Sequence, residues 1–200
     1  MITLFHTPKT RSSRFIFLLE ELEAPYEIRQ VSIRRRDGVG AVDPSNPHPH
    51  GKVPAISDDG AIVFESPAIA LYLTDRFPKN KLGPMVGESG RADYVSMLCY
   101  YASVLEPAFV SKFLKVEVPR GTAGWVAVDE ALPTLIKRLS GRPYLLGDHF
   151  SAADILYGTT FAMFAGSPLM APSSVIDQYV QRVISRPAYA RAQARDEGMT

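Results

Sequence analysis

The sequence predicts an α/β domain of βαβ–ββα order followed by an all-α helical domain, and three observations point that way. Residues 1–77 alternate short apolar runs with stretches whose apolar residues recur three and four apart. Residues 89–200 carry the helical spacing alone. Between them, residues 78–88 are rich in Pro, Gly and Lys and read as a linker.

Taken in order, Ile2 to His6 is an apolar run cut off by Pro8, the pattern of a short buried strand. Phe15, Leu18, Leu19 and Leu22 then predict a helix over 14–22, capped by Ser12 or Ser13 and ended by Ala24-Pro25. Tyr26 to Ile33 favours a second strand, parallel to the first because a helix intervenes. Residues 34–52 contain Pro44, Pro47 and Pro49 and read as loop with one weak helical turn. Val53–Ser57 and Ala61–Phe64, joined through Asp58-Asp59-Gly60, form a hairpin signal. Ser66 as N-cap and Pro67 at the first helical position open a helix over 68–77.

Beyond the linker, Val95, Leu98, Ala102, Leu105, Phe109 and Phe113 keep one helical rhythm, and Trp125 to Leu139 another. Ser151-Ala152-Ala153-Asp154 has the spacing of a capping box, with Asp in the Glu/Gln place, and leads an apolar helix to about Gly166. Helices over 175–185 and 188–196 complete the chain.

With 46% hydrophobic and 22% charged residues, the 200-residue chain has the make-up of a soluble globular protein with a full core. A formal net charge of +1 argues against nucleic acid as partner. Arg34-Arg35-Arg36 reads as a solvated loop. The single cysteine, Cys99, rules out an intrachain disulfide, a CxxC pair or a cysteine zinc site, and is expected to be a buried small residue. The first residues lack a signal-peptide pattern, and no stretch approaches the ~20 apolar residues of a membrane span, so a cytoplasmic location is expected.

Three segments could carry chemistry. In His50-Gly51-Lys52-Val53-Pro54, a cis Val53–Pro54 bond would leave the main chain of Val53 open to pair with a bound peptide. An ordinary edge proline is the commoner reading of that segment alone. In Glu65-Ser66-Pro67, a helix N-terminus with a hydroxyl suits a carboxylate, and Glu65 suits an ammonium. Taken alone, Ser66 reads as a cap and Glu65 as a solvated acid. Lys52 alone is a solvated lysine, but it adjoins the segment open to pairing. Jointly these groups describe a small acidic peptide. The third segment, Thr7 to Arg14, places hydroxyls at a helix start. Lowering a thiol from about 8.5 by two units needs roughly 2.7 kcal/mol, which a hydroxyl donor, a helix N-terminus and a nearby Arg could supply. At least one of Ser12 and Ser13 reads equally well as a cap.

The chain resembles the bacterial glutathione S-transferase family over nearly its whole length. The resemblance is carried by TPKTRSSRFIFLLEELEAPYE, NPHPHGKVPAI and FESPAIALYL in the first part and by PYLLGDHFSAADILY in the second. It implies a thioredoxin-like first domain with glutathione as co-substrate. Val53 would pair with the cysteinyl amide beside a cis Pro54. Ser66 would bind the γ-glutamyl carboxylate, with Glu65 near the ammonium, and Lys52 with His50 would hold the glycyl carboxylate. Classes of the family use Tyr, Ser or Cys at the thiol. The absence of cysteine from residues 1–98 sets this chain apart from the Cys-based class, and His6 stands where a first-strand tyrosine would. Thr7, Thr10, Ser12 and Ser13 remain. Thr10 is the first choice and Ser12 the second, with Arg11 assisting electrostatically and His6 packed at the strand end.

The resemblance further implies a homodimer acting on a small electrophilic or apolar second substrate, without metal, nucleic acid or membrane. Tyr100, Tyr101, Phe109 and Phe113 could line the apolar side of such a site, though each is more commonly core. A non-catalytic scaffold of the same fold, or a glutathione-dependent isomerase or peroxidase, is the alternative.

Overall fold

A computed structural model describes residues 1–199. The chain divides into two compact units, one formed by Met1–Lys81 with the segment from Arg186 onward, the other by Leu82–Ser185.

The first unit is built on a mixed sheet of four strands among the described residues, in the order β2-β1-β3-β4. These are β1 (Ile2–His6), β2 (Tyr26–Gln30), β3 (Ala55–Asp58) and β4 (Ala61–Phe64). β1 pairs with β2 in parallel and with β3 antiparallel, and β3 pairs with β4 antiparallel, which is the thioredoxin-like arrangement. β2 is shorter than its apolar run suggests. The Val31 N–H still reaches the His6 carbonyl, but the Ser32 N–H turns to the Asp43 carboxylate and leaves the sheet. No helical turn forms in residues 34–52; the described backbone there is turns and bends. Asp59 and Gly60, both at positive φ, make the tight hairpin turn between β3 and β4.

Two helices connect these strands. Helix α1 (Ser13–Glu21) follows β1, and α2 (Ser66–Arg76) follows β4. Phe15 to Leu19 of α1 are all buried, more than one amphipathic stripe allows, because α1 is covered on a second side. The cover is α8 (Pro187–Glu197), the last helix, which returns from the far end of the sequence to this unit. The Phe17 and Tyr189 rings meet edge to face at 5.4 Å. The Arg186 guanidinium forks onto Glu21 at 2.7 Å, and Arg191 and Arg195 both reach Glu20. Neither Ser12 nor Ser13 caps α1 through its side chain; both hydroxyls are engaged elsewhere.

The second unit is helical: α3 (Arg91–Tyr100), a π-helical turn over Tyr101–Leu105, α4 (Glu106–Leu114), α5 (Val128–Leu139), α6 (Ala152–Phe164) and α7 (Ser174–Ile184). The expected long first helix is thus one run interrupted by a π turn. Its centre is α6, whose first turn is organised by Asp154. That carboxylate accepts the N–H groups of Ser151 and Leu145 and the hydroxyls of Ser151 and Tyr179, each at 2.8–2.9 Å. Gly158 lets α7 approach closely, since a Cβ there would meet Val183 Cγ1 at 2.7 Å.

Candidate functional site

Strand register decides which loops share an edge of the sheet. Phe5 of β1 pairs with Ala55 at the start of β3, and Ala55 pairs with Phe64 at the end of β4. His6 pairs with Gln30 at the end of β2. One end of the sheet therefore gathers the loop 7–12, the chain leaving β2, residues 52–54 entering β3, and Glu65-Ser66 entering α2. Phe5, Val31, Val53 and Ala55 form a small buried cluster beneath this end.

The loop after β1 is a dense hydroxyl network. Thr7 is buried and its hydroxyl donates to the Val31 carbonyl at 2.6 Å. Ser12, fully buried, lies 2.8 Å from His6 Nδ1 and 2.7 Å from the Thr10 hydroxyl, and its oxygen accepts the Thr7 N–H at 3.2 Å. Thr10, half-buried, has its hydroxyl 2.7 Å from the Thr7 carbonyl. Ser13 donates to Asp196 Oδ1 at 2.8 Å, and the Lys9 N–H donates to Asp196 Oδ2 at 3.1 Å. Arg11 is exposed.

His6 is completely buried behind this loop. Its Nε2 lies 2.9 Å from Asp196 Oδ1, which sits off the ring N–H direction, so the contact is electrostatic rather than a directed hydrogen bond. Burial pushes the imidazole below its ordinary value of 6.5, and the nearby Asp196 carboxylate offsets only part of that. Burial thus favours the neutral ring.

The segment before β3 is shaped by its own side chains. The Asn46 amide donates to the Lys52 carbonyl at 2.9 Å and its oxygen accepts the His48 N–H. Gly51 turns the chain at φ +58, where a Cβ would strike Val42 at 2.5 Å. Lys52 and His50 are exposed. The Val53–Pro54 bond is cis. Val53 is buried, yet it lies outside the paired register, which begins at Ala55.

The expected Ser66 cap is displaced by one residue. Glu65 holds the cap position at φ +71, and Ser66 is the first helical residue. A non-glycine residue with that φ is strained, and such strain collects at ligand sites. The Ser66 hydroxyl has no protein partner among the described residues, at a helix start whose second residue is proline.

The fold thus brings every predicted residue of the first unit to one sheet end: Thr10, Arg11, Ser12, His50, Lys52, Val53, Pro54, Glu65 and Ser66. Three structural contributors were not legible. Asn46 and His48 shape the Lys52 loop, and His48 also packs on the Phe64 ring at 5.3 Å. Asp196 lies 183 residues from its partner Ser13, and no local pattern marks it. A cleft of about 590 Å³ opens beside the loop, between Pro8, Lys9, Ile33, Arg35 and Met199.

In the second unit, Cys99 is exposed, contrary to expectation. The inward positions of α3 are taken by Tyr94, Met97 and Leu98, which leaves Cys99 on the outer face. Tyr101 and Phe109 are core residues, Tyr100 is half-buried and Phe113 is exposed. Among the described residues no His, Cys, Asp and Glu group could hold a metal ion, and no helix is long and apolar enough to cross a membrane.

Comparison with known proteins points to one family. Family models described as glutathione S-transferase, N-terminal domain and C-terminal domain match residues 11–76 and 117–182. A sphingomonad glutathione S-transferase solved in complex with glutathione is similar over 98% of both chains, at 30% identity and a TM-score of 0.78. Glutathione S-transferase GstA of Escherichia coli O157:H7 is 25% identical over 92% of this chain and 93% of its own length. Glutathione S-transferase 3 of Schizosaccharomyces pombe is 39% identical over 77 residues, a match that spans 38% of this chain and 31% of that protein.

Proposed function

The chain belongs to the glutathione S-transferase family, and from that premise we propose that the gathered sheet end binds glutathione and that Thr10 activates its thiol. The observation that carries the reading is the register. It sets an unpaired main chain at Val53, a helix start with an unpartnered hydroxyl at Ser66, and a hydroxyl loop at one end of one sheet.

Each group of a small acidic peptide has a counterpart here. Val53 offers main-chain pairing to the cysteinyl amide. The N-terminal end of α2 and the Ser66 hydroxyl suit the γ-glutamyl carboxylate. The exposed Glu65 carboxylate suits the ammonium. Lys52 and His50, both exposed, suit the glycyl carboxylate. Bound glutathione supplies the sulfur nucleophile for an electrophilic second substrate. Thr10 stabilises the thiolate by donating its hydroxyl hydrogen, which a rotation about Cβ–Oγ1 releases from the Thr7 carbonyl. Arg11 adds positive charge at the same helix start. Ser12 supports Thr10 from behind, because its own oxygen is enclosed.

In this reading the protein works in the cytoplasm as a homodimer. Ile62 and Phe64 on the edge strand β4 are 42% and 39% exposed, which is apolar surface a second copy would cover.

Retention on immobilised glutathione followed by turnover of a chloronitrobenzene acceptor tests the assignment. Loss of both would leave a scaffold of the same fold. Thr10→Ala should raise the thiol pKa of bound glutathione by about one unit, equivalent to ~1.4 kcal/mol of thiolate stabilisation. An unchanged value moves the role to Ser12.

A further inference from the structure

We infer that Asp196, from the last helix, is a positioning residue for the thiol-activating loop: through His6 it fixes the direction of the hydroxyl hydrogens and leaves Thr10 with the movable one. This rests on the proposed role of the loop in glutathione activation.

Thr7 commits its hydroxyl to the Val31 carbonyl, and Ser13 commits its own to Asp196 Oδ1. Ser12 and Thr10 remain, 2.7 Å apart; either could donate to the other, and the Thr7 carbonyl, 3.3 Å from the Ser12 hydroxyl, is a further and longer acceptor for Ser12. The choice is made at His6. A carboxylate oxygen 2.9 Å from Nε2 repels a nitrogen lone pair and attracts a hydrogen, so the neutral ring carries its hydrogen on Nε2. Nδ1 is then an acceptor, and the Ser12 hydroxyl at 2.8 Å must donate to it. Ser12 has no second hydrogen to give. Its oxygen can only accept, from the Thr7 N–H and from Thr10. Thr10 alone keeps a hydrogen that can turn among the Ser12 oxygen, the Thr7 carbonyl and an incoming sulfur.

The opposite arrangement is self-consistent but costly. With the hydrogen on Nδ1, Ser12 would accept from His6 and donate to Thr10 or to the Thr7 carbonyl, while an Nε2 without hydrogen lay 2.9 Å from a carboxylate oxygen of Asp196 in a buried site. Asp196 also ties the loop mechanically, through the Lys9 N–H at 3.1 Å and the Ser13 hydroxyl at 2.8 Å. Its own place is set by the packing of α8 on α1, with Arg186, Arg191 and Arg195 joined to Glu20 and Glu21.

The experiment reads the tautomer directly. Long-range ¹H–¹⁵N correlation spectra of the full chain should show His6 as a single neutral species with hydrogen on Nε2. In Asp196→Asn the amide can face Nε2 with either its oxygen or its NH₂ group, so the Nδ1–H form should become populated. With Ser12 then free to donate to Thr10, kcat measured well below the ordinary thiol value of about 8.5 should fall about tenfold, and KM for glutathione should stay within about twofold. A purely structural tether would not move the tautomer.

Hydrogen on Nδ1 in the unaltered protein would overturn the inference, and that spectrum decides even if Asp196→Asn folds poorly. So would an Asn variant with an unchanged tautomer and unchanged kcat. The spectrum needs no glutathione. A chain that fails to bind glutathione therefore defeats the functional reading while the tautomer assignment is still judged on its own.

Discussion

Two buried carboxylates organise this molecule in contrasting ways. Asp154 sits three residues into its own element and satisfies the start of α6 from within. Asp196 sits on the last helix and satisfies the first loop, across 187 residues from Lys9. The first closes a local motif and the second closes the fold on itself. Local closure is written in the spacing of neighbouring residues. Closure at long range depends on where α8 comes to rest.

The largest expected effect tests the local carboxylate. Every partner of Asp154 is buried: the Leu145 and Ser151 N–H groups, the Ser151 hydroxyl and the Tyr179 hydroxyl. Asp154→Ala strands several donors with no water to replace the carboxylate. A loss of about 4 kcal/mol is expected, at ~1–3 kcal/mol for each stranded group with partial relaxation. Urea unfolding followed by circular dichroism measures it. A loss below about 1 kcal/mol would mean that α6 starts without its box.

Asp196→Ala should cost less, about 2 kcal/mol, because the Lys9 N–H and Ser13 hydroxyl lie at a part-buried loop where water can replace the lost oxygens. The same unfolding measurement ranks the pair. If Asp196→Ala proved the more damaging, the long-range tether rather than the local box would hold the fold together.

The contrast also explains what could be read in the sequence. The βαβ–ββα order followed, and β1 with its ends, came from apolar spacing and turn residues that act within a few positions. The capping box was legible because Ser151 and Asp154 are three apart. Val53, Glu65 and Ser66 were legible as candidates, and strand register sets them at one end of the sheet. What stayed hidden depends on three-dimensional neighbours. Ser12 has the composition of a cap, but a buried imidazole 2.8 Å away claims its hydroxyl. Val31 to Ile33 have β-forming side chains, but the Asp43 carboxylate draws the Ser32 N–H out of the sheet. Cys99 resembles a core residue by type, and only the packing of α3 shows that its face is the outer one.

The smallest expected effect is in pH dependence, and it separates the two carboxylate regions by sign. Burial lowers His6 beneath its ordinary 6.5, against the attraction of Asp196. The folded protein therefore resists a proton that the unfolded chain accepts near 6.5. Stability from this group is fully present above that value and declines as the pH falls, by at most ~1.4 kcal/mol per pH unit. At Asp154 burial acts the other way. It raises the carboxyl above its ordinary 3.8, against the Leu145 and Ser151 donors, so its contribution is full below that value and is lost as the pH rises. His6→Gln removes the first dependence and leaves the second. The stability difference between the unaltered protein and His6→Gln should shrink steadily as the pH falls from roughly 7 to 5.5. Urea midpoints at a series of pH values read this difference, and any acid response of His48 cancels because both proteins share it. A difference that stayed constant over that range would mean that His6 takes up its proton in the folded protein as readily as in the unfolded chain, and one that grew would mean that the folded state holds the ring protonated. In that last case the imidazole would carry hydrogen on both nitrogens, and the loop would have lost its reason for leaving Thr10 free.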